Sequence, residues 1–322
     1  MSVLTENGWG RVTVVGCGLI GASFALALRR AGACARVAGW DASPSVLDEA
    51  LSRGIIDEVD YAVADGGVSE SDLVYLATPV GAVIEFLRER ASQIKPGAVV
   101  TDAGSTKREV CRAARESLPR DRRFVGGHPV AGSHLRGPAH ARADLFDGAP
   151  YVLVDESERD RDEVGGNGSG RDEGERRTRD ALAETLRRTG ARVTWMTACE
   201  HDRAMALVSH LPQLVSSALA ATVEAQPDGA ALGRIAGAGF GDMTRLAASE
   251  WSVWRDILET NPSEVAAALD AFLSKLALVR DELRDCSAGE RDALRVTGSL
   301  FNRSRATGSP FEPSQTTSAV KG

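Results

Sequence analysis

The feature that most restricts this chain is Gly16-Cys17-Gly18-Leu19-Ile20-Gly21, a G-x-G-x-x-G pattern. It lies between a buried-strand run, Arg11-Val12-Thr13-Val14-Val15, and an apolar helical stretch from about Leu19 to Arg30. Alone the pattern says little; with a strand before it and a helix after it, it is the phosphate-binding turn of a dinucleotide fold. Gly16 permits the tight turn, Gly18 lets backbone approach a pyrophosphate, and Gly21 lets the helix pack close to the strand. The helix N-terminus, around Leu19 and Ile20, supplies unpaired N–H groups and the positive end of a dipole. Asp41 ends the second β-rich run, 23 residues after Gly18, where an acid holds ribose hydroxyls. Its charge repels a 2′-phosphate and no arginine follows in Asp41-Ala42-Ser43-Pro44, so the expected cofactor is NAD rather than NADP.

The alternation continues. Arg36 to Asp41, Leu73 to Ala77, Ala98 to Thr101 and Phe124-Val125 read as strands separated by helical segments. Strand and helix in this order imply an α/β fold, a Rossmann-like doubly wound parallel sheet with helices on both faces. Tyr151 to Val154 and Ala191 to Trp195 read as further strands, with a helix from Asp180 to Arg188 between them. From Asp155 to Asp180 there are ten acids, six arginines and five glycines, with Val164 the one aliphatic residue, so about 155–178 is expected as a disordered acidic insertion. Beyond Ala198 the strand signal stops, and alanine- and leucine-rich segments near 199–225, 242–259, 263–285 and 289–301 predict an all-helical C-terminal domain. The expected organisation is an NAD-binding domain over 9–197, a helical substrate and dimerisation domain over 198–300, and a disordered tail over 301–322. Helices this apolar with few aromatics suit packing against a second copy, which predicts a homodimer.

Composition removes several classes. At 322 residues the chain suits about two domains, taking ~150 residues for each. A hydrophobic share of 43% against 26% charged excludes wholesale disorder. The net charge of −7 argues against a general nucleic-acid binder, which wants a basic face. No unbroken apolar run nears the ~18 residues of a membrane span, and MSVLTENGWG lacks the basic and apolar regions of a secretory signal, so a soluble, cytoplasmic protein is expected. The five cysteines include no C-x-x-C, the five histidines no H-E-x-x-H, and no metal site is expected.

Ligands of a doubly wound sheet lie beyond the carboxyl ends of its strands. Three polar clusters fall there: Ala77-Thr78-Pro79, Asp102 to Lys107, and Gly126 to Ser133. Thr78 and Pro79 belong with the cofactor, while Ser105 and His128 are expected to meet near its nicotinamide end. His128, between a glycine and a proline, reads as held on a rigid turn. In the helical part, Asp202, Ser209 and Gln213 stand at i, i+7 and i+11 and form one stripe, read as a pocket wall. His201 and His210, nine apart, fall on opposite faces of a straight helix, so only one of them is expected in the site. Gly237 to Arg245 reads as a glycine-rich turn into a helix, and the Arg245 guanidinium suits a carboxylate through two parallel hydrogen bonds.

In this order the motifs resemble the prephenate/arogenate dehydrogenases of tyrosine biosynthesis, from about Arg11 to Leu283. The resemblance rests on the glycine turn, Asp102 to Lys107, Gly126 to Ser133, His201-Asp202, Ser209-His210-Leu211-Pro212, Phe240 to Arg245 and Trp254-Arg255-Asp256. It implies NAD-dependent oxidative decarboxylation of a cyclohexadienol, with prephenate giving 4-hydroxyphenylpyruvate. It further implies that His128 is the base, that Ser105 orients His128, and that Arg245 holds a substrate carboxylate with Asp202 fixing the guanidinium. Ser133, Ser209 and Gln213 would line the substrate pocket. Some relatives carry an acid where this chain has His134, and that absence mildly favours prephenate over arogenate. Arogenate or dual cyclohexadienyl specificity is the second reading, and a non-catalytic NAD-binding sensor the alternative from another class.

Overall fold

The computed structural model describes residues 8–61, 70–132, 135–155, 169–287 and 294–306. The chain forms two compact units, 1–262 and 263–322. In the first, six strands pair in parallel: β1 (Trp9–Val15), β2 (Cys34–Trp40), β3 (Glu58–Val59), β4 (Leu73–Leu76), β5 (Val99–Asp102) and β6 (Arg123–Val125). Their spatial order is β3-β2-β1-β4-β5-β6. The chain reverses direction of winding between β1 and β4, which opens a crevice beyond the strand ends.

Helices α1 (Leu19–Arg30), α2 (Pro44–Ser52), α3 (Val80–Arg90) and α4 (Arg108–Ser117) follow β1, β2, β4 and β5. β4 shows why the sheet is covered on both faces. Leu73 and Tyr75 join one core cluster with Val12, Val14 and Phe24, while Val74 and Leu76 join another with Val83, Leu87 and Val100. Successive side chains point to opposite faces, so an unbroken apolar strand needs a helix layer on each side. The doubly wound sheet expected from the sequence is present.

The strands near 151 and 191 build a separate small sheet with a segment that the sequence reading took for a turn. In it β7 (Gly127–Pro129) runs antiparallel to β8 (Pro150–Val154), and β8 runs parallel to β9 (Arg192–Met196). Between β8 and β9 lies α5 (Ser169–Arg188), so the expected disorder over 155–178 is corrected from residue 169 onward; residues 156–168 lie outside the described residues. Leu182, Ala183 and Leu186 are buried against the sheet, and Arg123 Nη1 donates to Thr178 Oγ1 at 3.0 Å. Once a helix is nucleated by that packing, adding turns to its polar N-terminal half costs little.

A helical run closes the first unit. It comprises α6 (Ala198–Met205), a π turn (Ala206–His210), α7 (Leu211–Glu224), α8 (Gly229–Ile235), α9 (Ala238–Thr244), a 3₁₀ turn (Arg245–Ala248) and α10 (Trp251–Thr260). Thr197 and Glu200 form a reciprocal capping box at the start of α6. The single helix expected over 242–259 is two helices, interrupted by the 3₁₀ turn and extended backbone at Ser249 and Glu250, and the glycine-rich turn is largely α9. The continuous Ala198–Glu224 helix is long and apolar enough by length and composition to cross a membrane, although no unbroken apolar run of that length occurs in it. Its buried positions, however, include the polar His201, Asp202, His210 and Gln213.

In the second unit, α11 (Pro262–Ser287) is followed by α12 (Arg295–Ala306), whose N-terminus is capped by Glu282 through the Val296 and Thr297 N–H groups at 2.7 and 2.8 Å. α12 thus extends past the expected start of the disordered tail at 301; residues 307–322 lie outside the described residues.

Two carboxylates of the helical run close the N-termini of sheet-layer helices. Asp202 accepts from Lys107 N at 2.7 Å and Arg108 N at 2.9 Å, at the start of α4. Asp256 accepts from Gly81 N at 3.0 Å, at the start of α3. Each places negative charge on the positive end of a helix dipole and satisfies orphan donors. Asp256→Ala is expected to lower stability by about 1–2 kcal/mol, the cost of losing a cap, and Asp256→Asn by less, read as the denaturation midpoint in urea.

Candidate active site

The glycine turn has the geometry its sequence requires. Gly16 sits at φ +94°, and a Cβ there would lie 2.6 Å from the Ala77 carbonyl oxygen. A Cβ on Gly21 would lie 1.9 Å from the Gly16 carbonyl oxygen, so α1 packs directly on the turn. At Gly18 a Cβ would meet nothing within 4 Å, and the start of α1 has no side-chain cap. The N–H groups before and at Leu19 and Ile20 are therefore left for an incoming acceptor. Of the helices after β1, β4 and β5, α1 is the one whose first-turn N–H groups meet no carboxylate among the described residues.

Asp41, at the end of β2, accepts from Cys17 N and Ser43 N, both at 2.9 Å. This ties the glycine turn to β2 and leaves each carboxylate oxygen capacity for another donor. At the end of β4 the buried Thr78 Oγ1 has no hydrogen-bond partner among the described residues, an orphan group of the kind that a ligand satisfies. Pro79 is exposed beside it, as the N-cap of α3. An open phosphate cradle, an acid at the β2 end and an orphan hydroxyl at the β4 end together fit a dinucleotide.

The second half of the site is built around Gly127. Asp102 ends β5 fully buried, with Oδ1 accepting from Gly127 N at 3.0 Å and Oδ2 from Gly104 N at 2.8 Å. Lys107, also fully buried, pairs with Asp102 and donates to Gly127 O at 2.7 Å. Both backbone groups of Gly127 are thus held by the β5–α4 segment, and a Cβ on it would lie 2.6 Å from Asp102 O. The next residue is His128. It belongs to β7, opposite Val152 of β8, rather than to a rigid turn.

Half-buried His128 has its Nδ1 2.8 Å from His201 Nε2. His201 in turn has its Nδ1 2.8 Å from Asp202 Oδ1. Both His201 and Asp202 are fully buried. This corrects two expectations. Nδ1 of His128 is held by His201, whereas Ser105, half-buried on the β5–α4 loop, makes no hydrogen bond to it among the described residues. Asp202 is committed to α4 and His201 and does not fix Arg245, which is exposed at the start of the 3₁₀ turn.

The π turn corrects a third. A π turn accommodates one extra residue, so His201 and His210 stand about 80° apart rather than about 180° on a helix of 100° steps. Both are buried, and His210 acts on His201 and His128 electrostatically. His210 stacks edge-on against Trp254 at 5.9 Å, and its buried Nδ1 has no hydrogen-bond partner among the described residues. Gln213 also differs from expectation. Its amide donates to Leu246 O at 2.8 Å and accepts from Ser249 Oγ at 3.2 Å, so it holds the turn that carries Arg245. Ser209 is half-buried on the π turn. Ser133 and His134 lie outside the described residues.

Burial is the main cause of the imidazole shifts. It holds His128 well below its ordinary value, with the Lys107 ammonium opposing a second positive charge there. It also lowers His201, against the opposing bond to Asp202, and brings His210 down to about 4. All three rings are therefore neutral near pH 7.

A crevice at the switch point, an open helix N-terminus and a clamped neutral imidazole define a dinucleotide-binding dehydrogenase. Comparison with known proteins makes this specific. Residues 24–165 match the family model described as "Prephenate dehydrogenase, nucleotide-binding domain", and residues 197–297 that described as "Prephenate dehydrogenase, dimerization domain". The chain is 34% identical to the prephenate dehydrogenase of Bacillus subtilis, over 84% of this chain and 69% of that protein. It is 30% identical to the cyclohexadienyl dehydrogenase of Zymomonas mobilis, over 84% of this chain and 87% of that protein. The crystal structure of A. aeolicus prephenate dehydrogenase, in complex with hydroxyphenyl propionate and NAD+, superposes with a TM-score of 0.79 at 29% identity, covering 94% of this chain and all of that one. The chain belongs to the prephenate dehydrogenase family.

The depressed imidazoles set the acid stability. A histidine kept neutral by the fold contributes stability that is whole above about pH 6.5 and is lost as pH falls toward its folded value, here about 4 for His210. The melting temperature is expected to fall between pH 6.5 and 4.5, and His210→Leu to flatten that slope.

Proposed function

We propose that this chain is an NAD-dependent prephenate dehydrogenase, converting prephenate to 4-hydroxyphenylpyruvate and carbon dioxide in tyrosine biosynthesis in the cytoplasm. The observation that carries the reading is His128, neutral and half-buried, its Nδ1 already engaged and its strand clamped through Gly127 to the end of β5. With Nδ1 engaged, Nε2 is the ring nitrogen left to meet a substrate hydroxyl.

Gly16, Gly18 and Gly21 shape the turn in which N–H groups at Leu19 and Ile20 hold the pyrophosphate. Asp41 holds the ribose hydroxyls, and Thr78 and Pro79 flank the nicotinamide half. When bound, NAD supplies the two-electron acceptor. His128 takes the proton of the ring hydroxyl at C4 as the adjacent C–H bond breaks. Carbon dioxide then leaves from C1, its bonding pair completes the aromatic ring, and His128 returns the proton to the phenolate oxygen. A neutral imidazole with a depressed pKa is in its basic form throughout the neutral range. Ser105 and Ser209 line the pocket, and Arg245, on the turn held by Gln213, binds a substrate carboxylate.

The cyclohexadienyl dehydrogenase among the similar proteins supports dual specificity as the second reading, with arogenate also accepted. The dimerization-domain match and the exposure of Ile235, Met243 and Trp251 support a homodimer through the helical part.

Purified protein with NAD and prephenate should give absorbance at 340 nm and 4-hydroxyphenylpyruvate, and arogenate a lower kcat/KM. Nucleotide binding without turnover of either substrate points instead to a sensor. His128→Asn should lose about 10²–10⁴ in kcat with the KM for NAD nearly unchanged. Arg245→Ala should mainly raise the KM for prephenate. Near-normal turnover in the His128 variant is incompatible with the mechanism.

A further inference from the structure

We propose that Asp202 and His201 form a relay that fixes the tautomer of His128, holding its hydrogen on Nδ1 and its lone pair on Nε2. This rests on the reading of His128 as the base of the dehydrogenase. A backbone N–H can only donate, so the polarity of the relay is set from the backbone outward.

Asp202 receives two such groups. Lys107 N lies 2.7 Å from Oδ1 and Arg108 N 2.9 Å from Oδ2. Both carboxylate oxygens are therefore acceptors, at the positive end of α4. His201 Nδ1, 2.8 Å from the same Oδ1, meets an acceptor and must carry a hydrogen. A neutral imidazole has one N–H, so His201 Nε2 presents its lone pair. That lone pair faces His128 Nδ1 at 2.8 Å, which must then be the donor. The one N–H of His128 is used, and its Nε2 is left unprotonated.

The opposite polarity needs a doubly protonated His201. Burial and charge oppose it, since His201 is fully buried and the Lys107 ammonium stands nearby. The Lys107 charge is itself balanced by Asp102, so the charge that reaches the imidazole pair most directly is that of Asp202. As Nε2 of His128 takes a proton, the resulting imidazolium is bonded through His201 to that carboxylate. His201 and Asp202 are thus positioning residues: neither touches substrate, yet both decide which nitrogen of His128 does.

The test is spectroscopic first. In protein with ¹⁵N-labelled histidine rings, at neutral pH and without substrate, His128 should show a pyrrole-type Nδ1 and a pyridine-type Nε2, its signals assigned by their loss in His128→Asn. A hydrogen on Nε2 in the wild-type protein overturns the relay. His201→Leu removes the acceptor, so His128 should shift toward the Nε2–H form and kcat should fall about tenfold or more, as for a misdirected base. The KM for NAD should stay within about twofold, since the relay does not touch the nucleotide. His201→Gln places an amide oxygen where Nε2 stood and should restore both the tautomer and most of kcat. Unchanged kcat and tautomer in His201→Leu also overturn the relay. Should His201→Leu not fold, the wild-type and His201→Gln spectra decide. Absence of turnover by the wild-type protein defeats the dehydrogenase reading instead, and leaves the spectra to decide the relay.

Discussion

The carboxylate of Asp202 is where the sheet layer and the helical run meet chemically. Its oxygens bond the first N–H groups of α4, and the backbone carbonyl of the same residue accepts from Asn261 Nδ2 at 2.8 Å. A buried carboxylate is costly unless several donors surround it, and the start of a helix offers them without any further charged residue. The same oxygen that bonds Lys107 N also bonds His201, so docking and the orientation of the imidazole pair depend on one group. Replacing it would disturb packing and chemistry together.

The two acids Asp202 and Asp256 also divide the labour of the sheet's helix termini. With α3 and α4 closed from the helical side, their dipoles are spent on holding the fold. The terminus of α1 keeps its dipole unmet. A comparable division applies to the charged pair of the second cluster. Asp102 and Lys107 are both fully buried, and their remaining hydrogen-bonding capacity goes to Gly104 and Gly127. The pair acts as a rigid bracket for β7.

Much of this was legible in the chain. The sheet, its order of strands and helices, the glycine turn and Asp41 follow from local patterns whose periods are short. His128 stands out because a histidine set among glycines and a proline reads as held on a turn, where a core role is hard to arrange. What was not legible depended on contacts distant in sequence. Asp202 looked like a partner for Arg245, because nothing local shows that the start of α4, about 95 residues earlier, lies against it. A straight helix puts His201 and His210 on opposite faces and admits only one of them to the site, and a π turn leaves no sequence mark that periodicity detects. Gly127-His128-Pro129 looked like a turn because glycine and proline punctuate loops, yet here the glycine answers to a close approach by Asp102 rather than to a bend. The acidic stretch hid the N-terminal half of α5, since composition reports the lack of a buried face and not helix continuation from a packed end.

The π turn at Ala206–His210 also makes this helix unusually tolerant of a change in length. Deleting one residue there would let the backbone relax into ordinary α-helix with no loss of hydrogen bonding, and every side chain downstream would keep its face, because the bulge already absorbs that residue. Straightening the turn at unchanged length would instead rotate the downstream side chains by about 100° and break the hold of Gln213 on the turn that carries Arg245. Family members one codon shorter at this spot would therefore be expected to present the same cavity on a superimposable scaffold.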